Sequence, residues 1–296
     1  TGAEKPHNSL NLLIFFTFLI IYYFLKMDVF TLIILISSGA LVGFLAGLLG
    51  IGGGIVLVPA LYYAHSTSGQ TDISAMHMAV GTSLAIIVPT GFSSALAHWR
   101  RNAIRFDILA KLTPGVVMGA AIGVVTAGLM NGDQLKLIFA IAISALALYM
   151  TLSPEPENRS AVRAWPGPRI NTLASGFIGL ISTLIGIGGA TLSVPYMRTF
   201  STKMKEAVGT ASVIGLLISI PGACGFATLG LLKDHIFSLT QVGYINIPAF
   251  IIIIPFSMLA APLGARYAHA LSPETLKRLF ALLMILVAVT MIFETR

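Results

Sequence analysis

Charged side chains are scarce in this sequence. Only 10% of its 296 residues are Asp, Glu, Lys or Arg, against about a quarter in typical soluble domains. Hydrophobic residues make up 56%, and the mean hydropathy is +0.90. A soluble fold could not bury so much apolar surface, so the solvent must be a lipid bilayer. Runs of roughly 20 apolar residues recur, and they lack the alternation of a membrane barrel. The sequence therefore predicts an all-α, polytopic integral membrane protein, as in a bacterial inner membrane.

Other absences exclude whole classes of function. The single cysteine, Cys224, rules out an intrachain disulfide. The chain has no Walker loop, no Gly-x-Ser-x-Gly and no histidine spacing typical of a metal site. We therefore expect no ATP-driven pump, no enzyme, no metal and no cofactor. The net charge of +7 comes from Lys and Arg in short loops, which favours positive-inside topology over a nucleic-acid partner.

The chain contains one unit twice. The run Gly50-Ile51-Gly52-Gly53-Gly54, followed by Pro59, recurs 136 residues later as Gly186-Ile187-Gly188-Gly189-Ala190, followed by Pro195. Next, the run 79–82 (AVGT) recurs as 207–210. A third set of matches, which starts with Pro114 and Pro255, has an offset of 141. Three blocks in the same order indicate a duplication.

The duplication divides the chain into four parts. Residues 1–28 form a tail with an extra membrane helix over 10–25, 29–152 form repeat 1, 153–169 a cytoplasmic linker, and 170–296 repeat 2. Each repeat begins with a glycine-interrupted segment, Val29–Ala64 or Ile170–Phe200. Three helices follow in each, which we predict over Ile73–His98, Asp107–Met130 and Gln134–Leu152, and over Ala207–Leu232, Val242–Ala270 and Thr275–Phe293.

The distribution of basic residues decides how the glycine-interrupted segments cross the bilayer. If each returns to its own side as a hairpin, 14 of the 18 Lys and Arg residues face the cytoplasm. If each crosses once, the division is 8 against 10. The positive-inside rule favours the hairpin. The two repeats then have opposite orientations, as in many secondary transporters, and the loops over 99–106 and 199–206 both face the cytoplasm.

The glycine clusters predict the substrate site. A short apolar stretch follows each cluster, so two half-helices should begin near the bilayer midplane, at Gly54 and Ala190. Helix N-termini carry free N–H groups and the positive end of the helix dipole, which together suit an anion. Hydroxyl groups could complete the site, at Thr82, Ser83, Thr191, Ser193, Thr210 and Ser212. The alternatives are that the small residues serve only helix packing and that the hydroxyls bond to their own helices.

These paired motifs resemble those of the sulfite exporter TauE/SafE family, also called the TSUP family. The likeness rests on Gly50, Gly52, Gly53, Gly54 and Pro59, and on Gly186, Gly188, Gly189 and Pro195, each set followed by a Val-Gly-Thr helix. It extends from about Phe30 to Thr290. The resemblance implies transport of sulfur-containing anions such as sulfite, sulfoacetate or related sulfonates. Position 190 is Ala where the first copy has Gly54, so the two halves need not be equivalent.

Three alternatives to a carrier that exports such an anion remain at this point. They are a passive anion channel, an importer or proton-coupled carrier, and an intramembrane enzyme or scaffold. No Asp or Glu falls in mid-helix, so we expect no proton relay through a buried carboxylate. His77 and His98 could carry protons, although anchoring at the membrane interface is favoured, and Arg100 could capture anions. Valine at Gly53 or Gly189 should abolish binding more than folding. The sequence does not fix the oligomeric state, and a homo-oligomer is one option.

Overall fold

A computed structural model describes residues 29–49, 53–66, 72–152 and 164–293. Within these ranges the chain forms ten α-helices and one hairpin of two short strands. In chain order they are α1 (Val29–Leu49), α2 (Gly54–Ser66), α3 (Asp72–Trp99), α4 (Phe106–Leu129), α5 (Gly132–Leu152), α6 (Pro168–Leu184), α7 (Ala190–Arg198), α8 (Met204–Lys233), β1 (Gln241–Val242), β2 (Ile245–Asn246), α9 (Ile247–Ala270) and α10 (Pro273–Phe293). Five of the helices are long and apolar enough to cross a bilayer, which confirms the predicted all-α membrane architecture. The predicted extra helix over 10–25 lies outside the described residues.

Two corresponding helices, α3 and α8, pack against each other in opposite directions. A Cβ atom at Gly222 would lie 2.8 Å from a methyl group of Leu84, and one at Gly91 would lie 3.3 Å from a methyl group of Leu216. Residues later in α3 thus contact residues earlier in α8. Antiparallel packing of equivalent helices is the geometry expected of two units in opposite orientations.

The first helix of each unit packs against the fourth helix of the other unit. A Cβ at Gly43 in α1 would lie 2.1 Å from the carbonyl oxygen of Ser257 in α9. The equivalent contact joins Gly179 in α6 to the carbonyl oxygen of Val116 in α4, at 2.2 Å. Glycine permits this approach because a side chain would occupy the space of the neighbouring backbone. The same close contact therefore occurs twice, and each time it joins the two units.

Both glycine-interrupted segments return toward the end from which they start. In unit 1, the turn brings Gly53 back beside Val42 of α1, and α2 ends with His65 close to Asn246, just before α9. In unit 2, the hydroxyl of Tyr196 in α7 donates a hydrogen bond of 2.7 Å to Asn171 at the start of α6. In the described residues, these contacts bring the end of each short helix back toward the end where its segment starts, as a hairpin would.

The bundle has two chemically different ends. At the Arg105 end, the guanidinium of Arg105 forms ion pairs with Asp107, at 2.8 Å, and with Glu206 of the other unit, at 3.2 Å. At the opposite, His77 end, the described basic side chains are Lys136 and Lys233. Ten other described basic side chains lie toward the Arg105 end: Arg100, Arg101, Arg105, Lys111, Arg169, Arg198, Lys203, Lys205, Arg266 and Arg278. The positive-inside rule therefore predicts that the Arg105 end faces the cytoplasm.

Two predicted boundaries are wrong. The helix predicted from Val242 begins at Ile247, because residues 241–246 form the β-hairpin, with Gly243 at φ 55° in its turn. The side chain of Asn246 then caps α9 by accepting a hydrogen bond from the N–H of Ala249. The linker also ends earlier than predicted, because α6 begins at Pro168, where a missing N–H costs nothing.

The first prediction concerns orientation. With Cys224 replaced by serine, single cysteines at Lys203 and Leu239 should label differently in intact cells. An impermeant maleimide should leave Lys203→Cys unlabelled and label Leu239→Cys, because the two positions lie exposed at opposite ends. Arg101→Cys, in the other predicted cytoplasmic loop, should behave as Lys203→Cys does. Labelling of Arg101→Cys and Lys203→Cys from outside would reverse the orientation; labelling of only one of them would contradict the hairpins.

The second prediction concerns packing between the units. Gly43→Ala should lower the free energy of unfolding by about 1–3 kcal/mol, because its Cβ would overlap the carbonyl of Ser257. Gly176→Ala is the matched control, since the nearest atom its Cβ would meet is a carbonyl oxygen 3.6 Å away. Thermal unfolding in detergent compares the two variants. Equal melting temperatures would show that α1 and α9 can separate without loss.

Candidate anion site

Two glycine turns precede the short helices α2 and α7. Gly53 has φ 78° and Gly189, its equivalent 136 residues later, has φ 54°. Gly186, at the start of the second turn, has φ 66°. Residues with a side chain seldom adopt these left-handed conformations. The repeated glycine motif is therefore required by the backbone itself, which must reverse direction inside the bundle.

The two turns meet inside the bundle. A Cβ at Gly54 would lie 2.3 Å from the carbonyl oxygen of Gly186, so the backbones are in direct contact. The hydroxyl of Ser83 in α3 donates a hydrogen bond of 2.8 Å to the same carbonyl. Gly54 also lies beside Ile87, and Gly189 lies beside Ile214. These neighbours belong to the middle parts of α3 and α8, so both short helices begin at mid-depth.

Each short helix begins directly after its own glycine turn. In α2, the first N–H groups bonded within the helix are those of Val56 and Leu57, which bond to Gly53. In α7 they are those of Leu192 and Ser193, which bond to Gly189. The preceding N–H groups have no acceptor within their helix and carry the positive end of its dipole. Each helix start is therefore a positive region without any charged side chain.

A proline occupies the sixth position of each short helix. Pro59 in α2 and Pro195 in α7 have no N–H, so the carbonyls of Ile55 and Thr191 lose their usual partners four residues later. The first turn of each helix therefore contains a free carbonyl as well as free N–H groups. Both helices nevertheless continue past the proline, as their bounds show.

Four buried hydroxyl groups adjoin the second turn and lack a hydrogen-bond partner. Ser182 and Thr183 end α6, and Thr191 and Ser193 begin α7. Each is at most 1% exposed. An unsatisfied buried polar group costs about 1–3 kcal/mol, so four of them around one turn need a cause. The sequence predicted Thr191 and Ser193 but missed Ser182 and Thr183, whose signal is their position just before the glycine motif.

The corresponding positions of unit 1 carry no hydroxyl group. They are Ala46, Gly47, Ile55 and Leu57, each 136 residues earlier in the chain. The side-chain donors of the site therefore all come from unit 2, whereas both units supply a helix N-terminus. This asymmetry agrees with the different residues at positions 54 and 190.

The remaining predicted hydroxyls already have partners. Thr82 accepts a hydrogen bond of 2.9 Å from the N–H of Asn246, and Thr210 accepts one of 2.9 Å from the N–H of Arg105. The pairs are related by the repeat and lie at opposite ends of the bundle. Ser212 donates to Gly209 of its own helix at 2.7 Å. These contacts hold loops and helices in place.

The two histidines are buried inside the bundle, near opposite ends of α3. His77 is 4% exposed and His98 is fully buried. The Nε2 atom of His77 lies 3.0 Å from the carbonyl oxygen of Ala127, and that of His98 lies 2.9 Å from the carbonyl oxygen of Gly47. Each ring thus lies against the backbone of another helix and joins it to α3.

The other predicted residues have less defined surroundings. Arg100 is exposed in the turn after α3. Gly188 contributes backbone that lies against Gly215 of α8, and Ala190 is the first residue of α7. Gly50 and Gly52 lie outside the described residues. Among the residues that the structure does describe, no group of His, Cys, Asp and Glu could hold a metal ion.

Comparison with known proteins gives the family. A family model described as sulfite exporter TauE/SafE matches residues 35–291. A "Probable membrane transporter protein" of Haemophilus influenzae is 34% identical over 90% of this chain and 100% of its own length. The "Probable membrane transporter protein YunE" of Bacillus subtilis is 26% identical over 88% of this chain and 97% of its own. No solved structure matches. The chain is an integral membrane protein that belongs to the sulfite exporter TauE/SafE family of transporters.

Proposed function

We propose that the protein exports a small sulfur-containing or organic anion, such as sulfite, sulfoacetate or a related sulfonate. The four unpartnered hydroxyls beside the glycine turn that precedes α7 are the observation that carries this proposal. A sulfite or sulfonate group presents several acceptor oxygens in a compact volume. It could accept hydrogen bonds from Ser182, Thr183, Thr191 and Ser193 together with free N–H groups of the helix starts.

The absence of a fixed cation suits transport. None of the described residues of this site is Lys or Arg. Backbone dipoles and hydroxyls bind an anion more weakly than a guanidinium fork does, because no full charge is present. A carrier needs such moderate affinity, since an anion held too tightly would not leave on the far side. The free hydroxyls therefore provide selectivity, and the neutral surroundings allow release.

The two repeat-related threonine bonds offer a route for alternating access. Thr210 holds the loop of Arg105 against α8, and Thr82 holds the loop of Asn246 against α3. Each bond joins the two units, at opposite ends. We propose that the units rock against each other, so that one of these contacts opens while the other stays closed. Saturable flux is expected of such a carrier, and flux linear in concentration would favour the channel.

The third prediction concerns the hydroxyls. Thr191→Val and Ser193→Ala should each weaken sulfite binding by about tenfold or more, because a hydrogen bond to a charged group is worth about 1.5–3 kcal/mol. Binding is measured as a sulfite-dependent shift in the melting temperature of the purified protein. A parallel series with sulfoacetate, thiosulfate, sulfate and acetate ranks the substrates.

Two matched variants control for packing. Thr113→Val and Ser219→Ala remove hydroxyls that bond within their own helices, to Leu109 and Leu216. They should leave binding unchanged. If they weaken binding as much as the site variants do, the unpartnered hydroxyls have no special role. Valine at Gly53 or Gly189 is a poorer test than the sequence suggested. The backbone there is left-handed, and a Cβ would lie within 2.4 Å of a neighbouring side chain, so folding itself would suffer.

The fourth prediction concerns the driving force. Moving one elementary charge through 100 mV changes its free energy by about 2.3 kcal/mol. The inside of a cell is electrically negative, so this term favours the export of an anion. Sulfite efflux from proteoliposomes should therefore rise when a potassium–valinomycin potential makes the interior negative, without any pH gradient. Efflux that ignores the potential and follows an imposed pH gradient would instead indicate an electroneutral, proton-coupled carrier.

A further inference from the structure

A cavity of about 270 Å³ opens at the His77 end. Three parts of the chain enclose it: α3 with His77, the turn from α4 to α5, and the end of α8 with the β-hairpin. Its lining residues are His77, Leu129, Met130, Asn131, Gln134, Lys233, Asp234 and Tyr244. None of the residues assigned above to the anion site lines this cavity.

The cavity is rich in hydrogen-bond donors. The side-chain oxygens of Asn131 and Gln134 accept from each other's backbone N–H groups, which leaves both amide NH₂ groups free. The ammonium of Lys233 gives one hydrogen bond, of 2.9 Å, to the carbonyl of Gly128, and two of its three hydrogens remain. Two amides and a cation that share a pocket favour an anionic ligand.

Tyr244 and Asp234 form a hydrogen-bonded pair in the cavity. The hydroxyl of Tyr244 donates to a carboxylate oxygen of Asp234. Burial, together with this hydrogen bond, raises the pKa of Tyr244 above its usual value, so the phenol stays protonated. The formal negative charge of the Asp234 carboxylate balances the positive charge of Lys233. The lining residues from α4 and α5 add no charge. With a neutral His77, the net charge of the cavity is therefore zero.

His77 has one ring nitrogen without a partner. A carbonyl oxygen can only accept, so the Nε2 atom that faces Ala127 carries a hydrogen. In the neutral ring the Nδ1 atom is then a bare acceptor, and it is buried without a hydrogen-bond partner. The whole residue is 4% exposed and lines the cavity. Protonation at Nδ1 would add one positive charge beside the pocket.

We propose that this cavity is a second anion site, in which a small oxyanion and one proton on His77 Nδ1 bind together. The charge balance gives the reason. The proton leaves the cavity with a net charge of +1, and a monoanion returns it to zero. Each ligand therefore raises the affinity for the other, as linkage requires. The site does not depend on the glycine turns, and it makes anion occupancy at this end sensitive to the local pH.

The test uses methanesulfonate, a monoanion that does not itself titrate near neutral pH. The parent protein for this test is the full-length chain with Thr191→Val and Ser193→Ala, which remove donors from the glycine-turn site. Calorimetric titrations in bis-Tris and in Tris, two cationic buffers with different ionisation enthalpies, give the number of protons taken up. About one proton per bound anion is expected. His77→Gln should bring this number close to zero while keeping a donor to Ala127, and Lys233→Met should weaken binding by at least about tenfold.

Two control variants and four possible outcomes test the proposal. His235→Gln removes an exposed histidine next to the cavity, and Lys203→Met removes a charge at the opposite end; both should behave as the parent does. If the parent binds no methanesulfonate, or if His77→Gln still takes up the proton, the cavity site is refuted. If Lys233→Met binds as the parent does, it is refuted as well. If instead the parent retains the full binding of the unaltered protein, with uptake that depends on His77, the cavity site stands and the glycine-turn site fails.

Discussion

The close backbone contact between helices of different units is the constraint on which the rest of this structure depends. Gly43 against Ser257 and Gly179 against Val116 leave no room for a side chain. Water is absent from the hydrocarbon core, so burial of apolar surface contributes little to helix association there, and tight packing must replace it. Because each such pair joins opposite units, the contacts hold the halves together and set the position of both hairpins. The glycine turns can meet at mid-depth only because their parent helices are held in this way.

The polar groups of the bundle are divided between structure and function. Most buried hydroxyls and both histidine Nε2 atoms have a hydrogen-bond partner, either in their own helix or in a neighbouring segment. The exceptions cluster in two places, at the second glycine turn and in the cavity beside His77. Polar atoms that are buried in a low-dielectric interior without a hydrogen bond destabilise the fold, and a ligand that bonds to them offsets this effect. The two places are thus the natural candidates for contact with a solute that crosses the protein.

The sequence predicted most of the architecture, for identifiable reasons. Long apolar runs determine the helices, and the repeated Gly-Gly-Gly and Gly-Gly-Ala runs mark where the backbone must turn, because left-handed φ values select glycine. The β-hairpin that begins at Gln241 was not predicted from the sequence, because its residues continue into the apolar run of α9. The pairing of α1 with α9 was not predicted, since Gly39, Gly43 and Gly47 mark a close-packing face of α1 but do not identify its partner helix. Whether a hydroxyl bonds to its own helix, as Ser212 does, or stays free, as Ser193 does, depends on a side-chain rotamer that the sequence does not specify.

The packing of each unit's first helix against the fourth helix of the other unit also affects how the protein is synthesised and assembled. The partner of α1 is α9, which leaves the ribosome only after roughly 200 more residues have been added. At a synthesis rate of about 5–20 residues per second, that interval is on the order of 10–40 seconds. During this time the glycine-rich face of α1 has no permanent neighbour and must be shielded by lipid, by the insertion machinery or by earlier helices. Assembly of this fold is therefore completed by its last third, and a chain that stops before α9 leaves its first helix unpaired.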